Sequence, residues 1–569
     1  MTNALHRILL CLTLVLGLIA PSSLALAQEV AATPPSADQL LSEWNRTALR
    51  AEDVLVRRAA STASLETLRA ELAAQRAAAL AFQQENSDRG KALATQLQSM
   101  GPRPTDEVGE APEITARRLE LSMQVARITV PVLAAQEAYQ RANTLIGEID
   151  ALIRARLTSE LVARGPTPLN PAYWPQAIGQ ANSFIAKIAA EISSSMANPV
   201  RWSYLLRQLP VIILALVAGL VILVTVRRAA LRRIESTLST RSAGRDRVLW
   251  VAVLNMGRLA LPALGTWAIY WAVDTSGILS INGQTVMQVV PTMAAILIGG
   301  NWLAHSLFSP RLARVRLVTL DDAAARSASR IVTWLSIIWA LRILADATVA
   351  RAQLSTETVA VQNFVLIFAG AFALWALARH ITTILKNRGD TLDGLGRSFL
   401  IYVRRALHIV AILAPLASAL GYFAAGRYLF YPIVQTMTIF AIFHVLNSLI
   451  NDILRSLLST GEAESRASST EPRFLPVVVG FMLGCISLPF LALAWGARIS
   501  DLTEVWVWVN DGVSIGDARF SLRDLIVLLF VFIVGYTVTR LLKKLMRATV
   551  LPRTRMDAGG RNAILSGIG

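Results

Sequence analysis

Residues 209–226 read LPVIILALVAGLVILVTV, and Arg227, Arg228, Arg232 and Arg233 follow at once. A helix of this length rises ~27 Å, close to the roughly 30 Å hydrocarbon core of a bilayer. A basic cluster directly after such a run marks its cytoplasmic end. The pattern recurs along the chain. Further apolar runs lie at 249–273, 286–308, 331–350, 359–378, 406–424, 428–450, 475–495 and 522–542. Basic groups return at alternate boundaries: Arg311, Arg314 and Arg316, then Arg379, Lys386 and Arg388, then Arg540, Lys543, Lys544 and Arg547. The inner end of the seventh run is only weakly basic. The alternation predicts an all-α fold: a polytopic membrane helix bundle of nine spans, with an N-terminal periplasmic helical hairpin or coiled-coil domain before it.

Composition agrees. The chain is 54% hydrophobic and only 16% charged, too few charges for soluble domains totalling 569 residues. Its formal charge of +17 comes from 55 Lys and Arg against 38 Asp and Glu. Much of the excess follows apolar runs, so it serves topology and anionic headgroups rather than nucleic acid. Membrane lipids are therefore the expected partners. Cys11 and Cys485 are the two cysteines, and with Cys11 removed no intrachain disulfide can form.

Residues 1–27 have the build of a signal peptide. His6 and Arg7 precede a short apolar core, Pro21-Ser22-Ser23 breaks it, and Ala25-Leu26-Ala27 offers a small-x-small cleavage site. A cleaved leader places residues 28–203 outside the membrane and fixes the sense of the spans. Within that segment one helix is expected from 37 to 100, with Leu65, Leu68 and Leu72 on one face. Gly101-Pro102-Arg103-Pro104 and an acidic stretch break it. A second helix follows to about 162, with Leu145, Ile149 and Leu152 at heptad-like spacing beside Ile146 and Ile153. The two should pair antiparallel. A Pro-rich connector at 165–173 and an amphipathic stretch at 174–196 lead to the membrane, where Trp202 and Tyr204 suit a headgroup boundary. Residues 204–473 hold about seven additional spans, with a tight outer turn at Gly426-Arg427 and a mixed-charge linker at 451–473. Residues 474–550 hold two more spans, joined by an outer loop containing Trp506, Trp508 and the turn Asn510-Asp511-Gly512.

No P-loop, zinc-protease or paired-cysteine motif is present, so the expectation is a protein that is not an enzyme and uses no cofactor or metal. The histidines His305, His380, His408 and His444 stand singly and read as packing partners. Charges inside spans are costly and carry more weight. Arg258 lies ~14 Å into its span at 1.5 Å per residue. Arg342 is similarly deep, and Asp346 one turn on can neutralise it. Gly480 and Gly484 form a small-xxx-small pair suited to close helix contact, a spacing shared by Ala215 with Gly219 and Ala369 with Ala373.

The last fifty residues carry a more specific pattern: Phe520-Ser521-Leu522-Arg523-Asp524, Gly535-Tyr536, Thr539-Arg540, Leu551-Pro552, Met556-Asp557 and Gly559-Gly560-Arg561-Asn562-Ala563-Ile564. This resembles the start of the channel region in the small-conductance mechanosensitive channel (MscS-like) family. The leader, helical exported region and extra spans resemble its long-armed members. The resemblance implies an inner-membrane, tension-gated, ion-conducting homo-heptamer with its C-terminal side in the cytoplasm. It also implies that residues 551–569 begin a channel-region helix cut short, with the pore-lining helix beyond Gly569. Two other readings stand beside it: a secondary transporter, suggested by the interrupting prolines, and an envelope scaffold or sensor anchored by the bundle.

Overall fold

The computed structural model describes residues 37–101, 111–240, 245–309, 316–318, 320–388, 394–458, 474–511, 513–515 and 518–520, with 527, 528, 531, 532 and 535. The expectations for the leader, the break after Gly101, most of the 451–473 linker, most of the ninth span and the C-terminal segment lie outside these residues. The described residues are all-α apart from two three-residue strands, and the chain divides into two compact units, Met1–Leu157 and Thr158–Gly569.

The first unit contains α1 (Ala37–Arg57), α2 (Thr62–Ser99) and α3 (Pro112–Val162) as far as Leu157. The single helix expected from 37 to 100 is two. Arg58 takes a left-handed φ of 51°, and the Ser61 hydroxyl caps α2 by accepting from the Ser64 amide at 3.1 Å. Arg156 of α3 fixes the break by donating to the carbonyls of Ala60 and Arg58, at 2.6 and 2.8 Å. Pairing of α2 with α3 follows the predicted stripes: Leu65, Leu68 and Leu72 bury against Leu145, Ile146 and Ile149, with Ala48 and Ala51 of α1 closing the core. Trp44, Ala79 and Ala135 form a second, smaller cluster. At the far end of the hairpin, Arg118 donates to the Gly101 carbonyl at 2.8 Å.

Charge pairs add register. Arg69 reaches Asp150 through two bonds, 2.7 and 3.1 Å, and Arg141 reaches Glu52 at 2.8 and 3.0 Å. Hydrogen bonding to Arg141 holds the Glu52 carboxyl below its ordinary value of 4.5. A depressed carboxyl pKa contributes stability above the unfolded value and loses it as pH falls through the folded one. Acidification below pH 4.5 is therefore expected to loosen α1 from α3. Hydrogen exchange of α1 amides across that window measures it, and Glu52→Gln should flatten the response.

In the second unit α4 (Tyr173–Ala197) precedes α5 (Pro199–Val221), which continues through a π-helical turn, Ile222–Val226, into α6 (Arg227–Thr240). Then come α7 (Arg245–Thr275), α8 (Ile281–Phe308), α9 (Asp322–Ala352), α10 (Thr356–Arg388), α11 (Gly394–Ala419), α12 (Phe423–Leu458), α13 (Phe474–Ala494) and α14 (Ile499–Asp511). The strands β1 (Val513–Ile515) and β2 (Ala518–Phe520) pair antiparallel. Among the described residues, six helical stretches are long and apolar enough to cross a bilayer: Pro199–Leu238, Ile281–Phe308, Asp322–Ala352, Thr356–Lys386, Gly396–Ala419 and Phe423–Leu454. The chain is a polytopic helical membrane protein. Helices also stand where the second and eighth spans were expected. Polar insertions such as Asn255, Arg258 and Thr266 dilute α7, and the apolar part of α13 is the shorter Val478–Ala494. On α5, Leu214 is 69% and Leu220 58% exposed, a face that hydrocarbon tolerates and water does not.

The helices are held by a core of Leu335 from α9, Ile367 and Leu374 from α10, Leu407 and Ala414 from α11, and Phe430 and Tyr431 from α12. Glycines admit the closest approaches. A Cβ on Gly219 of α5 would lie 2.8 Å from the Gly265 carbonyl of α7, and one on Gly370 only 2.1 Å from the Phe430 ring. Phe430 is 1% exposed and has nowhere to swing. Gly370→Ala gains about 1 kcal/mol in helix propensity but overpacks a core site that typically costs 1–3 kcal/mol. An overlap this deep belongs at the upper end, so the net expectation is a loss of about 1–2 kcal/mol. Thermal unfolding in detergent, followed by tryptophan fluorescence, measures it. An unchanged midpoint would show that the ring can move.

Two turn expectations are corrected. The α11–α12 turn is at 420–422, where Gly421 adopts φ +97°, and Gly426-Arg427 lies inside α12. Gly426 is there for approach: its Cβ would meet Ser418 Oγ at 2.0 Å. The outer loop with Trp506 is largely the helix α14, its first turn tied by Asp501 accepting from the Arg498 amide at 2.8 Å.

The Pro-rich connector and α4 belong to the second unit. Gly165 donates its amide to the Gly421 carbonyl at 2.9 Å, and Thr167 Oγ1 donates to Ala419 at 2.7 Å. The Glu191 carboxylate accepts from the amides of Asn282 and Gly283, each at 3.2 Å, and so caps the N-terminus of α8 with negative charge. Gln180 accepts from the Ser355 amide before α10 at 3.1 Å. Thus α4 is bonded across the starts of two membrane helices.

Candidate functional site

The charges singled out in the sequence are all paired, and two of the partners, Glu235 and Arg427, are ones that the sequence reading did not name. Arg258 on α7 is 6% exposed, and its guanidinium meets the Glu235 carboxylate of α6 at 3.1 Å. The π turn sets up this encounter. It inserts a residue into the α5–α6 rod and rotates everything downstream by about 100° relative to an unbroken α-helix. Arg227, Arg228, Arg232 and Glu235 then line a cavity of about 270 Å³ with Arg258, Asn301 and His305. The available signal was a lone glutamate two positions after the last of four clustered arginines.

Arg342 and Asp346 do face one another, at 3.3 Å, as their spacing predicts. The carboxylate, however, is shared. Arg427 of α12 reaches both its oxygens, at 3.0 and 3.1 Å, and the Arg342 guanidinium lies 4.0 Å from the centre of the Tyr431 ring. One carboxylate between two guanidiniums, with an aromatic face beneath one of them, joins α9 to α12. Arg427 and Tyr431 are four apart, and once residues 423–458 are read as helix that spacing puts them on one face.

The expected contact role of Gly480 and Gly484 is corrected. A Cβ at Gly484 would meet nothing within 4 Å, and at Gly480 only Asn447 Oδ1 at 3.9 Å. Both instead line an apolar cavity of about 950 Å³, walled by α7 through α13. Their missing side chains leave room rather than bring helices together. The cavity's few polar groups include Ser336, Thr438, His444 and Ser487. Its size falls within the roughly 300–1,000 Å³ of ligand pockets.

Two of the histidines, His380 and His408, contact a neighbouring helix, and His305 bonds within its own. His305 Nδ1 lies 2.8 Å from the Asn301 carbonyl, His380 Nε2 lies 3.1 Å from Ser327 Oγ, and His408 bonds the Arg404 carbonyl and packs edge-on against Trp375. Among the described residues no three His, Cys, Asp or Glu side chains converge as metal ligands.

A family described as a protein of unknown function (DUF3772) matches residues 132–194, the second half of α3, the connector and most of α4. No curated protein matches the chain.

Proposed function

We propose that the chain is a subunit of a mechanosensitive channel of the bacterial inner membrane, opened by tension to protect against osmotic shock. The observation that carries this is the residue pattern from Phe520 to Ile564, which resembles the entry to the channel region of the MscS-like family. In this reading residues 28–203 are periplasmic, the C-terminal side is cytoplasmic, and the subunits assemble as a homo-heptamer conducting ions. The array of α5–α13 would be a lipid-facing paddle. Tension favours the state of larger in-plane area and so shifts a pre-existing equilibrium. The helix α4, bonded to the starts of α8 and α10, offers a mechanical link between the interface and the spans.

The test is patch clamp of the protein, expressed from its full gene in a strain without its own mechanosensitive channels. Pressure-dependent current is expected, and its absence sinks the reading. The cavity of about 950 Å³ favours a second reading, a secondary transporter. Substrate-dependent uptake into proteoliposomes without pressure dependence would select it.

A further inference from the structure

We propose that the basic cavity where α6 meets α7 and α8 is a binding site for the phosphate headgroup of an anionic phospholipid. The inference does not depend on whether the chain conducts or transports. Four arginines, Arg227, Arg228, Arg232 and Arg258, line the cavity against one acidic residue, Glu235. Glu235 is engaged by Arg258 at 3.1 Å, which leaves a formal excess of three positive charges facing one small space. Arg258 is buried against Glu235, whereas Arg228 and Arg232 are exposed, so their charge stands open to an anion approaching from outside.

Topology alone does not account for the arrangement. The positive-inside rule needs basic residues near the end of a span, but it does not need them to converge. Here they do, and selectively: Arg233, in the same cluster and exposed like Arg228 and Arg232, takes no part in the cavity wall. The π turn at Ile222–Val226 supplies the rotation. The volume of about 270 Å³ equals about nine water-sized volumes at roughly 30 Å³ each, room for a phosphodiester and its glycerol.

What favours a lipid over a free anion is the adjoining groove. A second cavity of about 920 Å³ shares His305 and runs along the first turns of α9. Its wall is basic at Arg326 and Arg330 and becomes apolar at Trp334 and Ile337, further along the helix. A polar head site opening onto a groove that turns apolar within three helical turns has the profile of an amphiphile. Basic pockets between spans on the cytoplasmic side suit anionic headgroups.

The experiment is native mass spectrometry of the delipidated full chain, titrated with phosphatidylglycerol, phosphatidylcholine or inorganic phosphate. The wild type is expected to prefer phosphatidylglycerol. Arg232→Gln should lose about five-fold in that affinity, the equivalent of about 1 kcal/mol per basic residue at an anionic surface. Arg233→Gln removes the same charge from the same cluster and should lose nothing. Equal losses in the two variants would make the effect a diffuse surface field and overturn the site. Displacement of phosphatidylglycerol by millimolar inorganic phosphate would make it a free-anion site and overturn the lipid assignment. If Arg232→Gln does not fold, Arg228→Gln, also exposed, carries the same comparison with Arg233→Gln.

Discussion

Asp150→Ala is expected to destabilise the N-terminal helical unit by about 3–5 kcal/mol, the usual cost of breaking a buried ion pair by removing one partner. Arg69 is 2% exposed and spends two hydrogen bonds on this carboxylate. Truncating Asp150 leaves a guanidinium desolvated between α2 and α3 without the charge it was folded against. By contrast the Arg141–Glu52 pair is far more exposed, and pairs of that kind contribute about 0–1 kcal/mol. The measurement is hydrogen exchange of α2 and α3 amides in the intact protein. Global-type protection should fall in both helices together, because Leu65, Leu72 and Ile149 share one core. Arg69→Met with Asp150→Leu removes both charges and should recover most of the loss, since apolar replacements of buried pairs are often neutral or stabilising. If Asp150→Ala alone costs under 1 kcal/mol, Arg69 has found other compensation and the pair is not what sets the register.

Sequence reading succeeded where the governing physics is local. The apolar runs mark spans because length and hydrophobicity are properties of one segment, and helices stand at all eight runs before residue 500. The stripe Leu65, Leu68, Leu72 and its counterpart Leu145, Ile149 were equally legible, because 3.6-residue periodicity directly encodes a buried face. It failed where a residue's role depends on something distant. Glu235 and Arg258 are 23 positions apart, and Asp346 and Arg427 are 81 apart. Periodicity cannot reveal such partners. Glycine was ambiguous for a similar reason. Gly421 turns the chain, Gly426 admits Ser418, and Gly484 clears a cavity, and nothing local to each residue separates the three uses. The break at Arg58 was missed because its cap, Ser61, is one of several serines in an alanine-rich stretch, and the Arg156 side chain that fixes it lies 98 residues from Arg58.

Glu235→Ala should destabilise the membrane unit by a comparable amount, about 3–5 kcal/mol in zwitterionic surroundings, by leaving the buried Arg258 guanidinium without its carboxylate. The cost is not fixed, because lipid is part of the solvent here. With Glu235 gone, four arginines line a cavity of about 270 Å³, and an anionic headgroup in that cavity would supply the missing negative charge. The variant should therefore lose much less stability in phosphatidylglycerol nanodiscs than in phosphatidylcholine ones. Wild-type protein should respond to the same change of lipid more weakly. Arg258→Met with Glu235→Leu removes the pair as a unit, and it should be near wild type in both lipids while keeping Arg227, Arg228 and Arg232 in place. Unfolding midpoints for the three proteins in the two lipids make the comparison. A loss from Glu235→Ala that is identical in both lipids would mean that no headgroup reaches Arg258, and that the carboxylate alone keeps this charge inside the bundle.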